Sequence, residues 1–246
     1  MTKTAIIVQA RMGSSRLAGK VLEDLAGHTV LSHVLHRCRM VPGVDVVCCA
    51  TIDDPSCDAI AAETEAAGAE VFRGSEADVL DRYYRAAREI GCDVVMRVTS
   101  DCPLIDPEVC GRVLRLREDA NADYATNNMP PSWPHGLDCE AFTIAALEAG
   151  HQAAKDPYER EHVTPWLKHQ ESLCRVNLAG PGGAAARNRW TLDYPEDLEF
   201  FRALFAKLPS WPRVPKMNDV LDVIDRNPEI AAINMDRAPA ARRQIA

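Results

Sequence analysis

The connection Gln9-Ala10-Arg11-Met12-Gly13-Ser14-Ser15-Arg16-Leu17-Ala18-Gly19-Lys20 gathers three cations, two glycines and two serines. Backbone N–H groups of a Gly/Ser-rich turn can cradle phosphate oxygens, while Arg11, Arg16 and Lys20 would neutralise a polyphosphate. Two carboxylates extend that chemistry. Asp101 follows an apolar stretch in Thr99-Ser100-Asp101-Cys102-Pro103-Leu104, and Asp193 ends Arg189-Trp190-Thr191-Leu192. Mg²⁺ prefers one or two carboxylates together with phosphate oxygens and water, so Asp101 and Asp193 are the candidate metal ligands. Each feature alone also has a plainer reading. The loop could be a solvated cationic turn, Asp101 a turn aspartate, and Asp193 part of a helix capping box with Tyr194-Pro195-Glu196. The loop is neither a G-x-G-x-x-G fingerprint nor a P-loop, because Val21 follows Gly19-Lys20.

The elements that must position these residues read as alternating strands and helices. Residues 4–8 form a continuous apolar, β-branched run, as in a strand covered on both faces, and similar runs recur at 44–51, 69–72 and 93–99. Helical patterns fill 29–40, 56–67 and 77–90. The alternation predicts an α/β fold: a Rossmann-like, mostly parallel sheet with helices on both faces. Ligands of such sheets bind beyond the carboxyl ends of the strands, which is where the loop of residues 9–20 lies. Asp54-Pro55 and Asp106-Pro107 each read as an N-cap followed by proline at the first helical position.

Beyond residue 125 the pattern changes. A Pro- and Asn-rich stretch suggests a long excursion at 127–170, with helices at 143–153 and 157–169. Strands are expected at 173–178 and 189–193, then a helix at 195–207 and an outer helical tail at 215–246. The interleaved Val220, Leu221, Val223 and Ile224 mark an amphipathic helix there. The whole chain reads as a single domain carrying one insertion.

A formal net charge of −8 argues against a broad nucleic-acid or anionic-membrane surface. Nine cysteines, none in a C-x-x-C pair, point to free thiols in a reducing compartment. With no signal pattern and no apolar stretch near the roughly 20 residues of a membrane span, the expected location is the cytoplasm.

The loop of residues 9–20 resembles the A-R-x-x-S-x-R-L-x-x-K signature of sugar-acid cytidylyltransferases, the group that includes the CMP-KDO and CMP-sialic acid synthetases. The chain as a whole is similar to the cytidylyltransferase-like family of the spore-coat polysaccharide biosynthesis protein. That resemblance runs through Arg73-Gly74-Ser75, Asp78-Val79-Leu80-Asp81-Arg82-Tyr83-Tyr84, Ser100-Asp101-Cys102-Pro103-Leu104, Gly136-Leu137-Asp138-Cys139-Glu140, Glu159-Arg160-Glu161-His162-Val163-Thr164-Pro165 and Thr191-Leu192-Asp193-Tyr194-Pro195-Glu196. It implies a nucleotide site of Ala10, Arg11, Met12, Gly13, Ser14, Arg16, Lys20, Arg73 and Ser75, with the last two at the base or ribose. It also implies that Arg16, Lys20, Asp101 and Asp193 carry catalysis, that Mg²⁺ is the cofactor, and that CTP and a sugar acceptor are the substrates of a homodimer. One departure stands out: the synthetases carry Gly-Asp-Glu-Pro where this chain has Ser100-Asp101-Cys102-Pro103, so the sugar pocket is expected to differ.

Asp138 and Glu140 alternate along a short extended segment and could share a polar pocket or face solvent. Arg160 and His162 lie on one expected helix and could bind sugar or serve a surface or inter-subunit role. Trp133, Trp166 and Trp211 read as packing residues. Two other functions fit the same pattern: a glycosyltransferase consuming a nucleotide sugar, and a nucleotide-binding module without catalysis.

Overall fold

The N-terminal apolar run becomes strand β1 (Thr4–Gln9) in a computed structural model that describes residues 2–239. A small hairpin, β2 (Asp24–Leu25) and β3 (His28–Thr29), precedes helix α1 (Val30–Arg39). Strand β4 (Val46–Ile52), helix α2 (Asp58–Ala66), strand β5 (Glu70–Gly74), helix α3 (Val79–Ile90) and strand β6 (Val94–Thr99) follow in the expected alternation. Asp54 and Asp106 accept hydrogen bonds from the backbone N–H groups of the turns they start, those of Ser56 and of Glu108 and Val109. Asp106 thereby caps helix α4 (Pro107–Asp119).

β1 pairs in parallel with β4 on one side and β6 on the other, and β4 pairs in parallel with β5. Alternate residues of β1 therefore enter opposite cores. Ile6 and Val8 pack with Leu31, Val34 and Leu35 of α1, whereas Ala5 and Ile7 pack with Leu80 and Tyr83 of α3. Burying each such aliphatic side chain contributes about 1.5–3 kcal/mol, which is why Ala5 to Val8 carry no polar residue on either face. The sheet order β5-β4-β1-β6 reverses direction between β1 and β6, a topological switch point at which a crevice opens beyond the strand ends.

The second half departs from the sequence pattern in three places. Strands β7 (Tyr124–Thr126) and β8 (Glu140–Thr143), not expected from sequence, extend the same sheet; β8 runs antiparallel to both β6 and β7. The excursion at 127–170 thus places a strand in the sheet interior, followed by helix α5 (Ile144–Ala153). The single helix expected at 157–169 is two, α6 (Pro157–His162) and α7 (Pro165–His169), separated by Val163 at φ +69°. A β-branched residue in the left-handed region cannot continue a right-handed helix. After strand β9 (Arg175–Asn177), which pairs with β7, and the short helix α8 (Gly183–Ala186), residues 189–193 form no sheet strand, only an isolated bridge from Arg189 to His135. The flank of β6 that they would need is taken by β8. They bond instead to the loop after β6, Leu192 N–H donating to Asp101 O at 2.8 Å.

Helices α9 (Pro195–Phe205), α10 (Met217–Arg226) and α11 (Pro228–Ala232) form a third core in which Trp190, Phe200, Phe201, Leu204, Val220 and Ile224 meet. The part of the expected tail at 240–246 lies outside the described residues. Trp133 is buried and Trp166 partly so, while Trp211 stacks on His28 and against His36 with both ring centroids at 4.1 Å. All nine cysteines are free, and only Cys174 among them is exposed. No helix among the described residues is long and apolar enough to cross a membrane.

Candidate active site

Leaving β1, the chain folds back on itself: the N–H groups of Ser14 and Gly19 both donate to Met12 O, at 3.0 and 3.1 Å. Gly19 sits at φ +69°, a conformation that glycine adopts without the Cβ penalty, and it redirects the chain into a short 3-10 turn, Lys20–Leu22. This turn sends the Lys20 side chain toward the end of β6. Its Nζ donates to Asp101 Oδ2 at 3.0 Å, Asp193 Oδ1 at 2.9 Å and Leu192 O at 2.6 Å. Arg16 reaches Asp193 Oδ1 at 2.6 Å from the same loop. Residues separated by more than 170 positions in sequence therefore converge on one point at the switch crevice.

Asp193 is held from behind. Arg189 donates to its second oxygen at 3.2 Å and forms two 2.8 Å bonds to Asp197, which Asn234 also contacts at 2.9 Å. Asp197, fully buried, accepts from the backbone N–H groups of both Asp193 and Tyr194. The N-terminal carboxylate cap of α9 is thus Asp197, not Asp193, and this leaves an Asp193 oxygen for the cations of the loop. The capping box therefore lies one residue later than Asp193–Glu196, on Tyr194 and Asp197.

The charges reinforce one another. Burial pushes the Asp101 carboxyl up, but Lys20 and the hydrogen bonds from Thr99 and Cys102 outweigh it and hold the group at about 2. Burial works against the Lys20 ammonium too, and Asp101 and Asp193 overcome it and hold its pKa above the ordinary lysine value. Asp197 lies below the usual carboxylate range, since Arg189 and its other hydrogen bonds offset its burial. Asp101, Lys20 and Asp197 are therefore all charged at neutral pH.

A cavity of about 300 Å³ opens beside this cluster. Ala10, Arg11, Ser14, Arg16, Lys20 and Asp101 line it, bringing most of the loop residues expected from sequence into one place. Met12 closes the loop through its carbonyl, and Gly13 is exposed; neither lines the cavity. Arg73 and Ser75 also lie off its lining. Arg73 is turned toward Asp58 at 2.7 Å, and the Ser75 hydroxyl accepts from Asp78 N–H.

From the excursion, His162 lines the cavity together with Glu161. Arg160 does not: it donates to Asp78 Oδ2 and to His151 O, clamping α6 to the N-terminus of α3. Asp138 is half-buried just before β8. Glu140 corrects the expectation of a solvent-exposed or pocket-facing residue, because it is enclosed under the excursion. It pairs with Arg97 and Lys168 at 2.8 Å each and accepts from the hydroxyls of Tyr124 at 2.6 Å and Thr164 at 3.1 Å. Strand pairing placed this residue inside, and four donors make its burial tolerable.

Two cavity cations, Arg82 and Arg97, are not among the site residues expected from sequence. Arg82 is 2% exposed and donates to Ser75 O at 2.6 Å. Each carried a signal, namely a cation inside an otherwise apolar face of a helix (Val79, Tyr83, Ala86) or an otherwise apolar strand (Val94 to Val98).

The donor set suits a hard divalent cation that also takes phosphate oxygens. Two carboxylate oxygens already converge on one cationic atom, Lys20 Nζ. Among the described residues no group of three or more His, Cys, Asp or Glu side chains is placed to hold a metal, so a cation here would need phosphate or water oxygens as well.

Comparison with known proteins agrees with this geometry. Residues 5–221 match the family model for cytidylyltransferase. The spore coat polysaccharide biosynthesis protein SpsF of Bacillus subtilis is 33% identical, covering 94% of this chain and 98% of its own. A 3-deoxy-manno-octulosonate cytidylyltransferase of an Anaeromyxobacter species is 41% identical over 85% of this chain and 99% of its own. The solved structure of a cytidylyltransferase from Leptospira borgpetersenii superposes with a TM-score of 0.88 at 30% identity, over 94% of this chain and 97% of that one. Strand order, loop, paired carboxylates and matched sequence lead to one conclusion: this chain belongs to the cytidylyltransferase family and is a nucleotidyltransferase.

Proposed function

We propose that the protein transfers CMP from CTP to a sugar acid or sugar phosphate, releasing pyrophosphate, in surface polysaccharide or glycan biosynthesis. The observation that carries this reading is the convergence of Lys20, Arg16, Asp101 and Asp193 beside a cavity lined by further cations. The nucleotide and the acceptor class come from the relatives, a 3-deoxy-manno-octulosonate cytidylyltransferase and a spore coat polysaccharide biosynthesis protein.

In this reading the acceptor oxygen attacks the α-phosphorus of CTP in line with the departing pyrophosphate, and the protein works by positioning and charge. Arg11 and Ser14 hold the triphosphate, and Arg16 and Lys20 offset the charge that grows on the leaving pyrophosphate. Asp101 and Asp193 would hold Mg²⁺, which supplies Lewis-acid stabilisation of phosphate oxygens when bound. His162 and Glu161 lie on the excursion side of the cavity, where the acceptor would enter. The reading includes a homodimer joined through the 127–170 excursion, where Tyr158 is 62% exposed, and a cytoplasmic location, where CTP is found.

Incubation with CTP, Mg²⁺ and a panel of 3-deoxy-2-keto sugar acids, with pyrophosphate release as readout and product mass to identify the acceptor, tests the proposal. Sugar transfer from a nucleotide sugar without pyrophosphate release would replace it with the glycosyltransferase reading.

A further inference from the structure

Lys20 occupies an unusual position for a residue expected to meet a phosphate. Its ammonium has three N–H donors and no acceptor, and all three are engaged: by Asp101, Asp193 and the Leu192 carbonyl, at 3.0, 2.9 and 2.6 Å. Two of those three oxygens are the carboxylates expected to hold the divalent cation. The ammonium therefore fills the place in which a metal would sit.

The seat does not depend on the lysine for its shape. Leu192 N–H and the Thr191 hydroxyl both bond to Asp101 O, at 2.8 and 3.4 Å, and Asp193 N–H bonds to buried Asp197 at 2.9 Å. Backbone contacts thus set the spacing of the two carboxylates, and it would persist if the side chain left. Lys20 and Arg16 also line the 300 Å³ cavity, so a flexible four-carbon stem can carry the ammonium toward a triphosphate there.

The charge count favours that exchange only when nucleotide arrives. Two carboxylates, Asp101 and Asp193, face two cations, Lys20 and Arg16; the third cation at Asp193, Arg189, is itself balanced by Asp197. A divalent cation entering alone would meet a site already neutral and stand against an ammonium and a guanidinium. A metal arriving with a triphosphate brings the anionic oxygens that both side chains can take instead.

We propose that Lys20 is an internal counter-cation that closes the metal seat in the nucleotide-free enzyme and yields it to the incoming nucleotide, so that metal and nucleotide load together. This rests on the reading of Asp101 and Asp193 as metal ligands. The lysine then serves twice, first keeping the two carboxylates from binding free metal and afterwards meeting the triphosphate.

Mn²⁺ titration of the full chain without nucleotide, with the free ion followed by electron paramagnetic resonance, tests the proposal without recourse to activity. Lys20→Gln is expected to bind Mn²⁺ about tenfold tighter than wild type. Lys20→Arg, which keeps the charge, is expected to stay near wild type. Arg16→Gln alters a half-exposed side chain, so its fold is not at risk, and it should tighten binding by roughly threefold through the same charge balance. Circular dichroism establishes that each variant is folded. Affinities equal to wild type in folded Lys20→Gln, or in Arg16→Gln should the lysine variant not fold, overturn the proposal. A separate arm adds a non-hydrolysable α,β-methylene analogue of CTP to the wild type. Absence of protein-bound Mn²⁺ in that arm would overturn the metal reading itself, and the counter-cation role with it.

Discussion

Beyond the end of β1, Lys20 and Asp101 line an open cavity and Lys20 also pairs with Asp193 beside it, while beneath the excursion Glu140 joins Arg97 and Lys168 with its side chain only 3% exposed. Both clusters are carboxylates held by cations, and both contain a carboxylate kept at about 2 despite burial. They differ in what else surrounds the charges. Glu140 also takes the Tyr124 and Thr164 hydroxyls, so each of its oxygens has two donors, and of those four partners only Arg97 lines the cavity. Asp193 shares its Oδ1 between Arg16, whose side chain is 51% exposed, and Lys20, whose alternative partners would lie in the cavity. Ion pairing alone therefore does not distinguish a structural network from a reactive one; access for a competing anion does.

The comparison breaks most visibly if the two clusters exchange roles under mutation. Asp101→Ala is expected to lower nucleotidyl transfer by about 10³-fold or more while shifting the thermal midpoint little, measured by pyrophosphate release and calorimetry on the same sample. Unchanged turnover would remove Asp101 from the chemistry.

Glu140→Gln should do the reverse, costing about 3–5 kcal/mol of stability in urea denaturation because Arg97 and Lys168 lose their buried counter-charge. Turnover per folded molecule should fall far less than in Asp101→Ala. The same variant sharpens the pH behaviour. Burial raises the Glu140 carboxyl, but Arg97 and Lys168 overcome it and depress the folded value from 4.5 to about 2. A depressed carboxylate contributes stability that is fully present above the unfolded value and is lost as pH falls through the folded one. Wild type should thus lose stability between about pH 4.5 and 2, and Glu140→Gln should show a shallower slope over that window. An identical slope would mean that the Glu140 charge is not what the cations hold.

The smallest effect is expected at Arg73, which faces Asp58 across a largely exposed pair. Arg73→Ala should change stability by less than about 1 kcal/mol. A marked rise in the KM for CTP would show that Arg73 swings into the site on binding, as the family resemblance implies.

Much of the first half was legible because local pattern and tertiary context agree there. The apolar, β-branched run at residues 4–8 predicts a strand covered on both faces and forms one, and the glycines, serines and cations that follow it mark a candidate phosphate loop. Asp101 was readable from its place after a second apolar run. Glu140 was not, because a four-residue strand has no period long enough to announce itself, and its burial follows from pairing with β6 and β7. Asp193 was found for a partly mistaken reason: the segment before it is no sheet strand, and only its bonds to the Asp101 loop bring the two carboxylates together.

The sequence by itself determined the parallel α/β core, the cationic loop at its switch point and the two carboxylates, because each is written in residues adjacent along the chain. Tertiary structure alone decided that Lys20 stands between those carboxylates, that Asp197 relieves Asp193 of capping, and that Glu140 is sealed away. Those outcomes depend on distances between segments remote in sequence, and only the closing of the fold sets such distances.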